Sequence, residues 1–422
     1  MTVSRIFVAG GLRTPFARAG GIFFARNALN LSVQVLRAMD AQRQSDAKID
    51  YLGWGQVIPD PAVSNIAREA LLDAGLEPST PAVAGVMACA SSLTAALQAG
   101  ALLGRGDTHL ALVGGVETMG RAPIALTEES AQAILVKAKA DPMSVVPALA
   151  ALTVADFRLP GKGWANRTTG RSMGEHTEDL AKSFQLSRID QDGIALASHA
   201  HAAKAWQSGF FSDLVFELDG LGQDNTVRAD TSAQALAKLP PVFDRVNGTL
   251  TAGNSSPLTD GAAAVWVADE AGLGRLVPGL AVAEIVDWQL AAVDFSKEGM
   301  LMAPAFAIPR LLARHGLRFE DIALWEIHEA FSAQVLANVR LMSDPAFTTK
   351  RLGIDFEFGD FPWARVNPNG GSLALGHPFA ATGARLLAQS AKWLMDKPTN
   401  TLAVVSICAD GGQGAVALLR KP

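Results

Sequence analysis

The sequence predicts an α/β protein in which a parallel or mixed sheet is covered by helices. Short apolar runs typical of buried strands alternate along most of the chain with segments whose apolar residues recur at helical spacing. The 422 residues are 49% hydrophobic and 18% charged, which provides enough apolar material for a large core. A chain of this length has room for two or three structural units.

The N-terminal part of the chain shows this alternation most clearly. Its predicted strands lie at 5–9, 51–58, 83–88 and 109–115, and its predicted helices at 28–39, 65–74 and 90–103. Gly75 follows the second helix, and glycine readily adopts the left-handed conformation that ends helices. The uncharged stretch 78–104 has enough residues to cross a bilayer, but its hydroxyl, amide, Pro and Gly residues favour a buried strand and a buried helix.

The middle of the chain, from 121 to 246, is more polar and has few strand-like runs. Helices are predicted there at 130–139 and 190–206. A plain loop of this length would be unusual inside a compact domain. We therefore interpret the region as an insertion or a cap.

The alternation resumes after this region. Predicted strands lie at 262–268, 280–287, 321–327 and 402–407, and predicted helices at 304–315, 329–342 and 380–395. A faint repeat connects the two halves: helix 90–103 leads to a strand ending in the glycine pair 114–115, and helix 380–395 leads to a strand followed by the pair 411–412. This pattern fits a duplicated α/β unit or a chance similarity between two such units.

Composition and charge exclude several classes of protein. The formal net charge of −5 gives no basic excess of the kind that general nucleic-acid binders carry. The two cysteines, Cys89 and Cys408, form no CxxC pair, which argues against a zinc ribbon or a disulfide scaffold and for a reducing compartment. The first residues run into an apolar strand without the charged start and cleavage site of a signal peptide, so we expect a cytoplasmic protein.

Cys89 lies between an apolar run and a helix of small residues. A thiol in that place faces backbone N–H groups and the positive end of the helix dipole, which would lower its pKa. A lowered pKa would make it a better nucleophile near neutral pH. A buried structural cysteine is the alternative, and for a cysteine taken alone it is the more common case.

Three further residues have the placement of catalytic groups. His377 lies in a Gly-His-Pro turn, where glycine permits the close approach of another group and the imidazole could act as a base. Cys408 opens a glycine-rich turn after a buried strand. His328 lies with Glu329 at a strand-to-helix junction, where side chains reach the edge of a sheet. Taken singly, these could equally be a turn histidine, a packed cysteine and a helix-terminal charge.

The set of these motifs, in this order, resembles the thiolase family. Cys89 resembles the acyl-accepting cysteine of the family, the segment 367–385 is similar to its histidine motif, and 408–414 is similar to its second-cysteine motif. Further matches are the segment 251–264, which resembles the motif on the coenzyme A side, Met173-Gly174 and 114–119. The resemblance extends over essentially the whole chain.

Two details narrow the resemblance within the family. His328 stands where biosynthetic acetoacetyl-CoA thiolases usually have asparagine. The segment 328–332 (HEAFS) is similar to the β-subunits of fatty-acid-oxidation trifunctional complexes and their bacterial relatives, and so are the segments 64–70 and 172–176. These features point to a degradative 3-ketoacyl-CoA thiolase.

The resemblance implies a fold and a division into domains. The thiolase-type fold is a five-layer αβαβα sandwich of two similar halves with an inserted loop domain. The N-terminal half would comprise residues 1–120 and 247–275, and the C-terminal half residues 276–422. The loop domain, 121–246, would cover coenzyme A.

The resemblance also implies an activity, which is thiolytic cleavage of 3-ketoacyl-CoA by coenzyme A in fatty-acid β-oxidation. His377 would take the proton of Cys89, the thiolate would become acylated, and Cys408 would protonate the departing acetyl-CoA enolate. One oxyanion hole would use His377 and a water or side chain at His328. The other would use the backbone N–H groups of Cys89 and Asp410.

Coenzyme A is implied as a substrate, with no permanently bound cofactor and no metal. Contacts to coenzyme A that carry over from the family are Met173, Arg228, Ala252, Gly253, Ser256, Ala330 and Phe331. For Arg228 the alternative is a solvated surface charge. His176, His199 and His201 are interpreted as surface or core histidines, because no carboxylate or cysteine near them has ligand spacing.

Two features stand apart from this pattern. Asp410 occupies a position where relatives usually have Gly or Ala. A carboxylate facing Cys408 would raise the pKa of that thiol, whereas one facing away would leave only its backbone N–H to matter. The apolar segment 141–157 is expected to pack over the acyl tunnel, and contact with a membrane or a partner subunit is the less favoured alternative.

The resemblance further implies acyl-CoA and coenzyme A as ligands, a homodimer or tetramer, and a hydratase/dehydrogenase α-subunit as a candidate partner. Two other functions remain open: a short-chain acetoacetyl-CoA thiolase working in the condensing direction, and a non-catalytic coenzyme A- or lipid-binding protein on a thiolase fold. Decarboxylating ketoacyl synthases, which share the fold but use a Cys-His-His set, are disfavoured by Cys408.

Overall fold

The computed structural model describes residues 5–158 and 165–422. The strands in these ranges are β1 (Phe7–Arg13), β2 (Ala17–Arg18), β3 (Tyr51–Gly55), β4 (Ala82–Gly85), β5 (Leu110–Thr118), β6 (Ala125–Leu126), β7 (Phe157–Arg158), β8 (Thr259–Ala268), β9 (Val282–Ala292), β10 (Ile322–Ile327), β11 (Leu402–Ala409) and β12 (Gln413–Arg420).

The α-helices in these ranges differ widely in length, from single turns to the 20 residues of the longest. They are α1 (Ala28–Asp40), α2 (Ile66–Ala74), α3 (Ser91–Leu103), α4 (Glu128–Ala140), α5 (Val145–Ala150), α6 (Met173–Ser183), α7 (Arg188–Gln207), α8 (Ala233–Ala237), α9 (Glu270–Leu273), α10 (Phe295–Glu298), α11 (Ala303–Arg314), α12 (Ser332–Met342), α13 (Ser372–Leu375) and α14 (Thr382–Met395). Among the described residues, no helix combines the length and the hydropathy needed to cross a bilayer.

The main strands form one mixed sheet in the order β10-β11-β12-β9-β1-β8-β5-β3-β4, with β2 beside β8. β3 runs parallel to β4 and β5, and β10 runs parallel to β11. β1 joins the two halves, because Phe7 lies opposite Ala268 of β8 on one side and Glu284 of β9 on the other.

Three buried cores arrange helices and sheet in five layers. Helices α1 and α2 pack on the outer face of the N-terminal strands, α11 and α12 on the outer face of the C-terminal strands, and α3 and α14 lie between the two halves. Neighbouring residues of one strand face different cores: Val404 belongs to the outer core and Val405 to the central one. The predicted five-layer α/β sandwich is therefore confirmed.

The two central helices lie in close contact. A Cβ added at Gly383 of α14 would lie only 2.8 Å from the Cβ of Leu93 in α3, so only glycine fits without a shift. Next to it, the Ala384 N–H donates to the Ser92 hydroxyl at 2.9 Å. Because α3 follows Cys89 and α14 follows His377, this contact fixes the two loops that carry these residues relative to each other.

Most predicted elements are present with small changes at their ends. Asn65 caps α2 through the N–H of Arg68, and Gly75 ends that helix in the left-handed conformation at φ 79°. The helix predicted at 329–342 begins only at Ser332, since the residues before it are extended and bonded to the chain around Ser255. The C-terminal strand β12 and helix α6 were not predicted.

The prediction of a buried strand after residue 78 is wrong. β4 forms the edge of the sheet, and Val83 in it is half exposed. The helix that follows is buried as predicted. The glycine pairs of the faint repeat also differ in place: 114–115 lies inside β5, whereas 411–412 forms the turn between β11 and β12.

Residues 125–158 form a hairpin, with α4 and α5 above a short ladder of β6 and β7. None of the residues from 121 to 158 is buried, and the side chains of Val136, Met143 and Val154 are 70–77% exposed. The expectation that 141–157 packs over the acyl tunnel is therefore wrong. The apolar residues of this segment face outward, away from any core.

Candidate active site

Strand ends bring the predicted catalytic residues together. His328 directly follows β10, and Cys408 lies near the end of the neighbouring parallel strand β11. Cys89 follows β4, at the same end of the parallel N-terminal strands where Glu117 lies in β5. In parallel sheets this carboxyl edge is where functional side chains converge.

Cys89 lies in a tight turn at the N-terminus of α3. Ala88 before it has φ 45°, a left-handed conformation that a non-glycine residue adopts only at a cost. The Ser91 hydroxyl supports the turn, because it accepts the N–H of Met87 at 2.9 Å and donates to the carbonyl of Ala88 at 2.7 Å. The turn presents the Cys89 sulfur to the space between the two halves.

The electrostatic environment of Cys89 is opposite to the one predicted. Burial, with the negative charges of Asp410 and Glu117 adding to it, raises the pKa of Cys89 to about 12. The backbone N–H groups of Cys89 and Asp410 lower this pKa without reversing the shift. The expectation that the helix terminus lowers the pKa of Cys89 is wrong, because desolvation outweighs it.

His377 is buried and held by two hydrogen bonds, one from its backbone and one from its ring. Its N–H donates to the Thr259 hydroxyl at 2.8 Å, and its Nδ1 lies 2.6 Å from the hydroxyl of Thr382. Gly376 before it has φ 95°, and a Cβ there would meet the Thr259 side chain at 2.6 Å. The Gly-His-Pro turn thus needs its glycine both for the backbone angle and for space.

The two histidines lie side by side, with ring centroids 4.0 Å apart. Burial lowers the pKa of His377 to about 3 and that of His328 well below its usual range, so both rings are neutral. The Nδ1 of His328 lies 2.8 Å from the Ser372 hydroxyl. The Nε2 atoms of both rings have no hydrogen-bond partner among the described residues.

The Cys89 sulfur and one ring nitrogen from each histidine all lie within 4.8 Å of one another. Thiolate and imidazole are also the ligands that zinc prefers, and this is the one trio with such spacing in the described ranges. The same three groups can instead act as a nucleophile, a base and a hydrogen-bond donor.

Cys408 is buried among apolar side chains on the other side of Cys89. Its neighbours in this cluster are Met300, Leu301 and Ala330, with Met173, Phe295 and Phe331 at the margin. Burial and the charge of Cys89 raise the pKa of Cys408 well above its usual value. The thiol therefore stays protonated and is suited to donate a proton rather than to attack.

The Asp410 side chain faces Asn166, and its carboxylate accepts a hydrogen bond from the Asn166 amide at 2.8 Å. Of the two alternatives raised for this residue, an effect of the carboxylate on the pKa of Cys408 is not found, because the pKa of Cys408 responds to burial and to Cys89. The carboxylate is nevertheless not without effect, since its negative charge helps to raise the pKa of Cys89.

Glu117 connects the loops around the site. It accepts the N–H of Val57 at 3.1 Å, that of Ile58 at 2.9 Å and that of Ala380 at 3.4 Å. Burial raises the pKa of Glu117 to about 7. The sequence analysis did not single out Glu117, Ser372, Thr382 or Arg385, although each lies in a segment similar to a family motif. Nothing in the sequence spacing distinguishes these four residues from purely structural ones.

A cavity of about 490 Å³ lies beside the site, and three of the residues expected to contact coenzyme A, Arg228, Ala252 and Gly253, line it. Arg18 also lines the cavity, although no sequence motif singles it out. The other predicted contacts lie elsewhere: Met173, Ala330 and Phe331 surround Cys408, and Ser256 donates its N–H to the Ala330 carbonyl at 3.0 Å.

The three histidines interpreted as surface or core residues, His176, His199 and His201, each make a hydrogen bond to a neighbouring residue. His199 is buried and accepts the N–H of Arg228 at 3.2 Å, although its ring also lines the cavity. His201 contacts the carbonyl of Asn367 at 2.9 Å, and His176 contacts the hydroxyl of Thr169 at 2.8 Å.

Comparison with known proteins identifies the family of the chain. Residues 6–271 match the family described as thiolase, N-terminal domain, and residues 280–421 match thiolase, C-terminal domain. The 3-ketoacyl-CoA thiolases of Shewanella baltica (strain OS185) and Shewanella frigidimarina are each 36% identical over 98% of this chain and 96% of their own length.

Solved structures give the same result. Human mitochondrial 3-ketoacyl-CoA thiolase in complex with CoA superposes with a TM-score of 0.81 at 27% identity, covering 100% of this chain and 98% of that one. The acetyl-CoA acetyltransferase of Bacillus anthracis gives 0.81 at 28% identity, covering 99% of both chains. The chain therefore belongs to the thiolase family and is an acyltransferase.

Proposed function

We propose that this protein cleaves 3-ketoacyl-CoA with coenzyme A to give acetyl-CoA and an acyl-CoA shortened by two carbons, through an acyl-Cys89 intermediate. The observation that carries the proposal is the trio of Cys89, His328 and His377, whose reactive atoms lie within 4.8 Å of one another. Cys408 adds a second thiol close enough for its pKa to respond to the charge of Cys89.

In the first step His377 Nε2 takes the proton of Cys89 while the sulfur attacks the 3-keto carbon. Both groups are neutral at rest, because burial raises the pKa of the thiol and lowers that of the imidazole. Proton transfer therefore accompanies the attack and does not precede it as a stable ion pair. The 3-keto oxygen gains negative charge, which the backbone N–H groups of Cys89 and Asp410 stabilise.

In the second step the bond between C2 and C3 breaks. Its electron pair goes to C2 and is delocalised onto the thioester oxygen, which takes hydrogen bonds from the Nε2 atoms of His377 and His328. Cys408 then protonates C2, and acetyl-CoA leaves. The apolar cluster around Cys408 keeps this proton in place until the enolate forms.

In the third step a coenzyme A thiol attacks acyl-Cys89. Its proton restores Cys408, and the proton held by His377 returns to Cys89 as the shortened acyl-CoA leaves. Every proton taken in the first half of the cycle is thus returned in the second. Coenzyme A acts as a substrate in this cycle, and no other cofactor is required by it.

We assign the 490 Å³ cavity to coenzyme A. Arg18 and Arg228 on its wall supply the positive charge that phosphate groups need, while Ala252 and Gly253 leave room for the pantetheine chain. Met173, Ala330 and Phe331 would contact its thiol end, because they surround Cys408.

His328 favours the degradative direction, in fatty-acid β-oxidation, over the condensing acetoacetyl-CoA reaction, since it stands where the condensing enzymes usually have asparagine. A non-catalytic coenzyme A- or lipid-binding protein would have no need for two thiols beside two uncharged histidines. The curated relatives named above are called 3-ketoacyl-CoA thiolases, which supports the same choice.

We further propose a homodimer formed through β4. The strand is a sheet edge with unpaired backbone groups, and Val83 and Val86 beside it are 50% and 69% exposed. A second copy that pairs there would cover this apolar edge three residues before Cys89. We assign the exposed apolar residues of the hairpin 125–158 to contact with a hydratase/dehydrogenase α-subunit.

The test is coenzyme A-dependent cleavage of a short and a long 3-ketoacyl-CoA, with Cys89→Ala as the control. We expect faster turnover of the long chain, loss of activity in Cys89→Ala, and an acyl-enzyme at Cys89 by mass spectrometry. Activity confined to acetoacetyl-CoA would identify a short-chain thiolase. The absence of cleavage in the wild-type protein would support the binding-protein alternative.

A further inference from the structure

We propose that Ser372, held by the buried guanidinium of Arg385, is a positioning residue that fixes His328 in the tautomer with its proton on Nε2. The proposal rests on the function proposed above, in which His328 stabilises the thioester oxyanion. It explains how a neutral histidine can serve at this position as a permanent hydrogen-bond donor.

The contacts that determine the tautomer form a short chain. Arg385 Nη2 donates to the Ser372 hydroxyl oxygen at 2.8 Å, and the same oxygen lies 2.8 Å from His328 Nδ1. All three residues are at most 2% exposed. A guanidinium can only donate, so it occupies a lone pair of the hydroxyl oxygen and leaves the hydroxyl hydrogen for another acceptor.

His328 Nδ1 is the one acceptor that the Ser372 hydroxyl contacts in the described part of the chain. If Nδ1 carried the proton instead, the serine oxygen would accept two hydrogen bonds while its own hydrogen had no partner. A buried, unpaired donor is costly, so the arrangement selects an unprotonated Nδ1 and a protonated Nε2.

His377 has the opposite tautomer by the same reasoning. The Thr382 hydroxyl donates to the carbonyl of Pro378 at 3.2 Å, so its oxygen accepts the Nδ1–H of His377 at 2.6 Å. The Nε2 of His377 therefore keeps its lone pair and can act as a base. The two neighbouring histidines, with ring planes tilted by 48°, thus present one donor and one acceptor to the same site.

The tautomer of His328 also determines whether the trio of Cys89, His328 and His377 is suited to bind a metal ion or a substrate. A protonated Nε2 on His328 has no lone pair, so the arrangement is set for hydrogen bonding to a substrate oxygen rather than for holding a metal ion. Burial is the main cause that lowers the pKa of His328 and keeps the ring neutral, and His377 and the positive charge of Arg385 lower this pKa further. The other terminal nitrogen of Arg385, Nη1, donates to the side-chain oxygen of Gln389 at 3.5 Å.

The tautomer of His328 should matter for carbon–carbon cleavage but not for acyl transfer. Breaking the C2–C3 bond needs the donor on His328, whereas transfer of an acyl group between coenzyme A and Cys89 uses the backbone N–H groups of Cys89 and Asp410. A defect in the tautomer of His328 should therefore slow carbon–carbon cleavage and spare acyl exchange. General damage to the site would slow both.

The test variant is Ser372→Ala, with Ser390→Ala as the matched control, since Ser390 is a buried serine whose hydroxyl has no partner among the described residues. We expect Ser372→Ala to lower kcat for cleavage about tenfold or more, with KM within about twofold and acetyl-CoA:CoA exchange retained. In a His328→Asn background the same substitution should change kcat less than about twofold, because an asparagine amide has no tautomers.

Unchanged cleavage in Ser372→Ala, an equal loss of both half-reactions, or the same loss in the His328→Asn background would overturn the proposal. Ser372→Cys keeps the side-chain volume with a weak donor, and it should show the same selective loss if the alanine variant does not fold. Spectra of 15N-histidine-labelled protein, assigned with His328→Asn, provide a readout that does not depend on activity. They should show a protonated Nε2 on His328 in the wild type and a mixture of tautomers in Ser372→Ala, so a failure of the thiolase function itself remains distinguishable.

Discussion

The catalytic centre and the hairpin 125–158 differ in how much of the chain each depends on. At the centre His328, His377 and Cys408 are at most 3% exposed, and their contacts come from both halves of the molecule. In the hairpin no residue is buried, and hydrogen bonds such as those of Ser130 with Thr127 and Asp156 join residues of the hairpin itself.

Because of this difference, we expect stability and activity to depend on the same residues at the centre but not in the hairpin. The central helices hold both catalytic loops, so a change in their packing alters stability and activity together. The hairpin has its own short ladder and caps, so changes there should leave both unchanged. The following predictions test that separation, from the largest expected effect to the smallest.

Gly383→Ala should have the largest effect. Its added Cβ would lie 2.8 Å from the Cβ of Leu93, so the central helices must move apart. We expect a loss of about 3 kcal/mol in the free energy of unfolding, measured by chemical denaturation, together with reduced cleavage.

Gly193→Ala is the matched control for this substitution. Gly193 lies inside α7 with nothing within 4 Å of an added Cβ. Because alanine favours a helix more than glycine does, we expect this variant to gain about 0.5–1 kcal/mol. Equal behaviour of the two variants would show that the central helices tolerate separation.

Thr382→Val should lower kcat by about tenfold with little change in KM, and it should cost about 1–3 kcal/mol in the free energy of unfolding, because the buried Nδ1–H of His377 loses its acceptor. The substitution keeps the shape of the side chain but removes the acceptor for His377 Nδ1–H, so the imidazole loses its fixed tautomer. Thr401→Val is the control, since its hydroxyl also donates to a proline carbonyl but lies on the surface. Wild-type kcat in Thr382→Val would mean that the Thr259 contact alone positions His377.

Asp410→Asn should increase the reactivity of Cys89 severalfold toward iodoacetamide at a fixed pH. The negative charge of Asp410 helps to raise the pKa of Cys89 to about 12, so the neutral amide should lower that pKa and increase the thiolate fraction. Asp46→Asn, at an exposed aspartate, is the control.

The pH dependence of the same reaction provides a second measurement. With a pKa of about 12, the thiolate fraction of wild-type Cys89 should rise about tenfold per pH unit across the neutral and mildly alkaline range. Alkylation, mapped to Cys89 by mass spectrometry, should therefore show no plateau there. A plateau near neutral pH would reveal a preformed thiolate–imidazolium pair with His377.

The sequence predicted the strands and helices better than the environment of the candidate catalytic residues. Cys89, His377 and Cys408 could be named because each stands in a local motif at a strand or helix end. The direction of the pKa shift of Cys89 could not be predicted, because burial depends on the folded site. Asp410, whose charge contributes to the shift, lies in the turn after β11, far from Cys89 in the sequence. The role of Ser372 depends in the same way on Arg385, which lies on another helix.

Exposure was the least predictable property, and the hairpin shows why. Its apolar residues have the same composition as a buried segment, and only the tertiary structure reveals that Val136, Met143 and Val154 face outward. The prediction that β4 is a buried strand failed for the same reason, because β4 lies at the edge of the sheet. An apolar run in a sequence indicates that its side chains are buried in a contact. It does not indicate whether that contact is within the same chain or with another molecule.

Replacing Val136 and Met143 by serine should therefore have the smallest effect on the isolated protein. Both side chains are at least 70% exposed, so we expect the free energy of unfolding to change by less than about 0.5 kcal/mol and cleavage to remain at the wild-type rate. Val335→Ser, which places a hydroxyl in the outer core, is the contrasting variant. Destabilisation by the hairpin substitutions as large as that of Val335→Ser would mean that the hairpin packs against its own chain, and the separation between the two regions would fail. If stability and activity persist while self-association or α-subunit binding is lost, the cover for these apolar residues comes from another molecule.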